Sequence, residues 1–419
     1  MFIEKTLGQL CELGKGKIQT GPFGSQLHQA DYSEEGTPVV MPADIVDGKI
    51  SKAKIARVSE DHVMRLDRHQ LAIGDIVYGR RGDIGRQALV TSKEEGWLCG
   101  TGCLRVTVGK KSLIDPEYLH LYLKMPDVIS YIQNQAIGAT MPNLNTEILK
   151  RIPIRYPEKI ADQKKVIAVL KAYFDLIENN KKRIQILENI AEELYKEWFV
   201  RFRFPNYEKT EFEKGLPSSW DRTQLKYLCF EVKQSIKKED LNAHTKYLGL
   251  EHLSRKDIAI YDYSSADTVD SNKLKFKKFD ILFAKIRPYL HKVCLAHFDG
   301  ICSSDTIVLR AKDPIYLPYI LFTVFSETFI DLADVSSNGT KMPRANWDFL
   351  QKVVLSIPPN ELMEKFYKIC MPIFIEIETL LNQIEILNQQ KDSLLPRLIS
   401  GKLSVENLDI QFPPSMQEL

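Results

Sequence analysis

Two stretches of the chain place apolar residues at intervals that alternate between four and three. The first runs Val166, Leu170, Tyr173, Ile177, Asn180, Ile184, Leu187, Ala191, Leu194, Trp198; the second runs Phe366, Cys370, Ile373, Ile377, Leu380, Ile384, Leu387, Lys391, Leu394, Leu398. This is a heptad seam, and it predicts two long helices that each bury one stripe against a partner helix. Only Asn180 and Lys391 are polar in the seams, and a polar seam residue fixes register at some cost in stability. Pro372 predicts a kink or a late start for the second helix. Outside the helices, GDIVYGRRGDIGRQALV from Gly74 and FDILFAKIRPYLHKVCLA from Phe279 each read as a strand, a basic turn and another strand.

Those two segments belong to an internal repeat. GATMPNLNTEILKRIPIRYP from Gly138 is matched by NGTKMPRANWDFLQKVVLSIPP from Asn338, so that Gly138, Met141, Pro142, Leu149 and Pro157 fall on Gly339, Met342, Pro343, Leu350 and Pro358 at constant spacing. Upstream, Asp115-Pro116-Glu117-Tyr118-Leu119 corresponds to Asp313-Pro314-Ile315-Tyr316-Leu317, each leading into an amphipathic helical run. Near the start of each half, LGQLCE from Leu7 pairs with LKYLCF from Leu225, which makes Cys11 and Cys229 core positions of equivalent elements.

Each copy is followed by one heptad helix, and connectivity sets their directions. The first helix runs from domain one to domain two because it is the covalent link. If the second pairs with it, it must run back, so the pair is antiparallel. About 35 residues give a rod of roughly 50 Å, longer than one turn of duplex, about 34 Å. A homodimerising coiled coil is the alternative. The expected fold is therefore α+β: two similar mixed α/β domains, residues 1–157 and 205–359, joined by a long antiparallel two-helix coiled coil, residues 158–204 and 360–403, with a tail at 404–419.

Composition changes this picture little. With 419 residues, 44% hydrophobic and 27% charged, the chain has room for two globular domains and extra structure. The longest apolar stretches, such as Tyr316 to Phe325, are too short to cross a bilayer, and Met1 to Leu10 lacks a signal-peptide pattern; no membrane is implied and a cytoplasmic location is expected. Seven scattered cysteines do not make a disulfide framework. Cys99 and Cys103 lie close together but have no second pair to complete a zinc site, which favours small buried hydrophobes. A net charge of +2 does not announce a nucleic-acid binder, so any positive stripe has to be local.

Over essentially its whole length the chain resembles the specificity subunits of type I restriction-modification enzymes. The order of domain, helix, domain, helix is similar to that family's target recognition domains and conserved helices. TGPFGSQL (Thr20 to Leu27) looks like a loop of those domains, and GLPSSW (Gly215 to Trp220) like their opening. LYKEWFVRFRFP (Leu194 to Pro205) and LLPRLISGKLSV (Leu394 to Val405) resemble the ends of the two helices. The first domain lacks the P-x-x-W opening. The resemblance implies that each domain reads half of a split target in double-stranded DNA, with the helices as a ruler for the gap. It further implies that two methyltransferase subunits dock on the spacer and bring S-adenosylmethionine. Motor-nuclease subunits would add chemistry dependent on ATP and Mg, and this chain would hold no cofactor of its own.

DNA affinity needs Lys and Arg on phosphates, and specificity needs side chains at base edges. The basic turns offer Arg80, Arg81 and Arg86 in domain one, with Gly79, Gly82 and Gly85 permitting tight turns. Domain two offers Lys285, Arg287, His291 and Lys292, with Tyr289 interleaved. Arg bidentate to guanine is the commonest specific contact. The Met-Pro loops, Thr140 to Asn143 and Lys341 to Arg344, add Lys341 and Arg344, although a purely structural turn fits them equally. Thr20, Ser25 and Gln26 lie in a Gly-rich loop whose amides could bind phosphate. Lys273, Lys275, Lys277 and Lys278 precede a strand as a steering patch or a solubilising edge.

No catalytic constellation accompanies these residues. There is no Walker loop, no G-x-S-x-G elbow and no H-E-x-x-H, and the eight histidines lack metal-ligand spacing. Pro358-Pro359-Asn360 reverses the order of an adenine methyltransferase N-P-P-Y motif. A helical scaffold and a DNA-processing enzyme with a dispersed nuclease site remain as alternatives.

Overall fold

The heptad seams become two long helices, Ile160–Tyr195 and Asn360–Ile399. The late start expected from Pro372 is not seen: the second helix begins at Asn360 and continues through both Pro372 and Pro396. A helix-interior proline costs about 3 kcal/mol, and here buried Cys370, Phe374 and Ile377 pack on either side of Pro372. In the computed structural model the described residues are 1–46, 48–81, 84–135, 143–242, 244–337, 339, 342–412 and 416. They form two units, Met1–Asp175 with Asn388–Leu419, and Leu176–Leu387. The helices are thus not separate bodies, as the sequence boundaries imply, because each is shared between the units.

In the first unit, an antiparallel four-stranded sheet has the order Lys17–Thr20, Cys103–Thr107, Ile76–Gly79, Gln87–Leu89. A smaller sheet places Thr37–Val40 between Ala56–Val58 and Leu98–Cys99, the last pairing being parallel. The ends of the domain are tied by Phe2–Thr6 pairing antiparallel with Pro153–Pro157. Apolar Leu7, Leu10, Tyr118, Leu149 and Ile154 meet Val166, Leu170 and Leu398 in one core. The two helices run antiparallel in this unit: Lys159 and Lys165 bond Glu406, while Lys391 lies 5.3 Å from the Phe174 ring centre. Gly401, at a φ of +74°, lies where an added Cβ would come within 2.6 Å of the Phe2 ring, so the end of the chain closes on its beginning.

The second unit repeats the plan. Its main sheet has the order Cys229–Glu231, Thr306–Ala311, Ile281–Ala284, Val293–Leu295. Asp221–Gln224 pairs with Val354–Ile357 as the equivalent tie. The second sheet keeps the parallel pair, Lys246–Leu248 with Gly300–Cys302, and adds Ser235–Ile236 and Lys273–Phe276 to reach five strands. Lys273 therefore sits in a strand, not before one; it is buried and its Nζ donates to Ser271 Oγ. Lys278 pairs with Glu378 at 2.7 Å. The helices are antiparallel here too, since Asn180 Nδ2 donates to Gln383 Oε1 at 3.1 Å and Arg183 pairs with Glu376. Asn180 is buried, and its amide bond to Gln383 is the kind of contact by which a polar seam residue fixes register.

Local chemistry explains why the repeated motifs recur. Asn145 and Asn346 cap the short helices Thr146–Lys150 and Trp347–Leu350, accepting from the Ile148 and Phe349 amides, and Leu149 and Leu350 are fully buried beneath. The Tyr118 hydroxyl donates to the Arg155 carbonyl, and in the second unit Tyr319, not the sequence-aligned Tyr316, donates to the Ser356 carbonyl. The run Leu317–Phe325 is not amphipathic as expected: all nine residues are buried. Among the described residues no single helix is long and apolar enough to cross a membrane. Phe199, Phe202 and Phe204 surround Trp220 at 5.3 to 5.9 Å, so the exit of the first helix and the GLPSSW opening form one aromatic cluster.

Cys11 and Cys229 are both buried, but in different elements: Cys11 lies in the helix Leu7–Gly14, and Cys229 opens a strand. Their shared anchor is the residue four before: Leu7 N donates to Ile152 O, and Leu225 N to Val353 O. Cys99 and Cys103 are buried among Val40, Ile45 and Val77, and burial pushes the Cys99 thiol up to about 12.

Candidate nucleic-acid interface

Three segments converge at one end of the main sheet in the first unit. The strand Ile76–Gly79 ends there, Cys103–Thr107 begins there, and Lys17–Thr20 ends beside it, with Gly79 opposite Cys103 and Thr20 opposite Leu104. Backbone bonds hold the emerging loops together: Arg80 N donates to Gly102 O, Gly21 N to Cys103 O, and Leu144 N to Arg80 O. Arg81 bridges Asn143, so the basic turn and the Met-Pro loop form one rim. An added Cβ at Gly21 would lie 2.1 Å from the Gly100 carbonyl oxygen, which is why this loop needs glycine.

The second unit builds the same rim from different residues. Lys285 N donates to Asp305 O, Ala345 N to Lys285 O, and Arg287 N to Pro343 O. Ile286 bridges Arg344 as Arg81 bridges Asn143. By these bonds Lys285 is equivalent to Arg80, and Arg344 to Asn143. The turn closes without glycine, through Arg287 and His291 at φ values of 50° and 52°. In the first unit Gly85 takes the positive φ, while Gly79 is an ordinary strand residue and Gly82 lies outside the described residues.

The predicted residues separate on this frame. Arg81, Arg287 and Tyr289 are exposed; Arg80 is half-buried, with its Nε donating to Asn143 Oδ1 at 3.1 Å. Arg344 is exposed and its Nε donates to Asp305 Oδ1 at 3.3 Å. Lys285 is half-buried on the rim. Arg86 stands further along, with Nη1 3.5 Å from the Pro42 carbonyl, lining a hollow with Lys124 and Ile129. Thr20 is the last strand residue, and Ser25 is exposed. Gln26 turns its Oε1 back to accept from Phe23 N, which fixes the loop.

Two candidates are corrected. His291 is buried against Phe325, and its Nε2 lies 2.7 Å from the Phe325 carbonyl, so it holds the turn onto the helix beneath. Lys292 donates to the Leu250 carbonyl, and burial lowers its pKa, so it also faces inward. Lys341 and residues 140–142 lie outside the described residues. Sequence reasoning missed Asn143 as a side-chain partner and Asp305 altogether. The fixed offset between the copies points to Asn143 through Arg344, but Asp305 carries no motif.

A family model described as the type I restriction modification DNA specificity domain matches residues 2–189. The chain is 26% identical over 399 residues to the type I restriction enzyme MjaIX specificity subunit of Methanocaldococcus jannaschii, covering 90% of this chain and 89% of that one. Over most of its length the chain is similar to type I restriction-modification specificity subunits. A second relative, the EcoDI specificity subunit of Escherichia coli, is 24% identical over 72% of this chain and 73% of its own. In fold, the chain is similar to the crystal structure of the type I restriction-modification S subunit from M. genitalium. The TM-score is 0.55 at 15% identity, and 95% of this chain and 96% of that one are covered.

Proposed function

We propose that this chain recognises a bipartite DNA target for a type I restriction-modification complex, one half-site per domain, and catalyses nothing itself. The observation that carries the reading is the doubled rim: one set of backbone bonds joins turn to loop in both units, while the exposed side chains differ. Two readers that share a frame and differ in side chains suit two different half-sites. The paired helices would set the gap between half-sites and dock two methyltransferase subunits, with motor-nuclease subunits joining in turn. S-adenosylmethionine, ATP and Mg would serve those partners. A DNA-reading role fits a cytoplasmic location for the assembly.

The test is co-expression with the methyltransferase subunit and mapping of methylated adenines. A split target supports the reading; a continuous target, or none, overturns it. Lengthening both helices by whole heptads should widen the gap and leave the half-sites unchanged. A purified chain that cuts or methylates DNA unaided would instead establish an enzyme.

A further inference from the structure

Each rim carries one arginine held at its Nε by a neighbour, and the units differ in which arm supplies it. In the first, the turn provides the guanidinium, Arg80, and the Met-Pro loop provides its acceptor, Asn143. In the second, the loop provides the guanidinium, Arg344, and the acceptor is Asp305, whose backbone carbonyl also anchors the turn at Lys285. The equivalence is set by backbone, since Leu144 N to Arg80 O (2.9 Å) matches Ala345 N to Lys285 O (2.8 Å).

A guanidinium fixed through Nε loses rotational freedom about its stem while its two Nη groups stay available. That pair spans O6 and N7 of guanine. Among the described residues, neither Arg80 nor Arg344 makes a further side-chain hydrogen bond. Asp305 is informative for its charge. A carboxylate on a surface that meets phosphates weakens binding, so its presence needs a compensating role. Its Oδ1 aims at Arg344, whose side chain remains 51% exposed.

We propose that Asn143 and Asp305 are positioning residues that set the angles of Arg80 and Arg344, each for reading one G·C pair in its half-site. This rests on the reading of both domains as DNA readers. The experiment uses the complex co-purified with its methyltransferase subunits. Methylation is measured across a DNA library holding every single-base change in the target, for the unaltered chain and for Asp305→Ala, Asp305→Asn, Arg344→Lys and Asn143→Ala.

Asp305→Ala and Arg344→Lys should each lower discrimination about tenfold at the same base pair of one half-site, leaving the other half-site unchanged. Asp305→Asn keeps the acceptor and should restore most of that discrimination. Affinity of Asp305→Ala for non-specific DNA should hold or rise, because a negative charge has gone. Asn143→Ala should act at one base pair of the other half-site. Unchanged maps for Asp305→Ala and Arg344→Lys overturn the proposal, as does loosening across a whole half-site with a lowered melting temperature. If Asp305→Ala does not fold, Arg344→Lys alone decides by the same map. An unaltered complex that marks no bipartite target overturns the DNA-reading function itself, before any variant is compared.

Discussion

Glu188 of the first long helix offers a stability switch whose size can be worked out. Its carboxylate is buried in the second unit and accepts from the backbone amides of Ile258 (3.0 Å) and Ala259 (2.7 Å), tying helix to domain. Burial pushes its pKa up from 4.5 to about 7; Asp257 and Glu192 add to the rise, and the two amides oppose it. An acid whose pKa is higher folded than unfolded keeps an extra proton in the folded state between those values. Stability is therefore free of this cost below pH 4.5, falls as pH rises towards 7, and bears the whole cost above it. A rise of that size corresponds to about 3 kcal/mol. Glu188→Gln retains an acceptor oxygen and removes the ionisation, so relative to the unaltered chain it should gain about 3 kcal/mol between pH 4.5 and pH 8. For a unit of this size that is a swing of roughly 6–12 °C in melting temperature. Trp198, Trp220 and Trp347 all lie in the second unit and only Trp97 in the first, so tryptophan fluorescence follows the relevant transition. A difference between variant and unaltered chain that is the same at pH 5 and pH 8 would refute the assignment of this titration to Glu188.

Three further outcomes are expected. Ile184→Ala opens a cavity at a fully buried seam position of the second unit and should cost about 2–5 kcal/mol, read in urea by tryptophan fluorescence. Asp280→Ala removes both 2.7 Å bonds from Arg310 and the acceptor for Lys277 N; with Arg310 about one-third exposed, the loss should be roughly 3 kcal/mol in the same assay. Gly21→Ala forces a Cβ against the Gly100 carbonyl, and circular dichroism should show the first unit destabilised by about 1–3 kcal/mol; no change would mean that the loop opens freely.

What was legible in the sequence is what backbone geometry demands of side chains. The heptad seams announce their helices because burial at one stripe is periodic, and Asn180 marks the register because a buried amide needs a partner. Asn145 and Asn346 of the repeat sit where short helices require a cap, so the copies align there even though most other residues differ. His291 and Lys292 misled because a basic residue in a turn looks alike whether it faces solvent or a neighbouring carbonyl. Pro372 misled for a related reason: a local rule predicts a break, and packing of Cys370, Phe374 and Ile377 on both sides outweighs it.

The rim shows why specificity is the least legible layer. Selection for a stable domain acts on the bonds from Arg80 to Leu144 and from Lys285 to Ala345, which are backbone to backbone and accept almost any side chain. The side chains are then free to diverge, and they have done so in a coupled way. Where the turn holds the Nε-bonded arginine, the loop holds its acceptor; where the loop holds it, the acceptor comes from Asp305, at the start of the neighbouring strand. A residue-by-residue alignment of the copies pairs Arg80 with Lys285 and Asn143 with Arg344, and so sees two unrelated substitutions. Only the three-dimensional rim shows that both solutions keep one oriented guanidinium. A change of target within this fold is therefore expected to alter arginine and acceptor together, because moving either alone leaves the cation charged but unaimed.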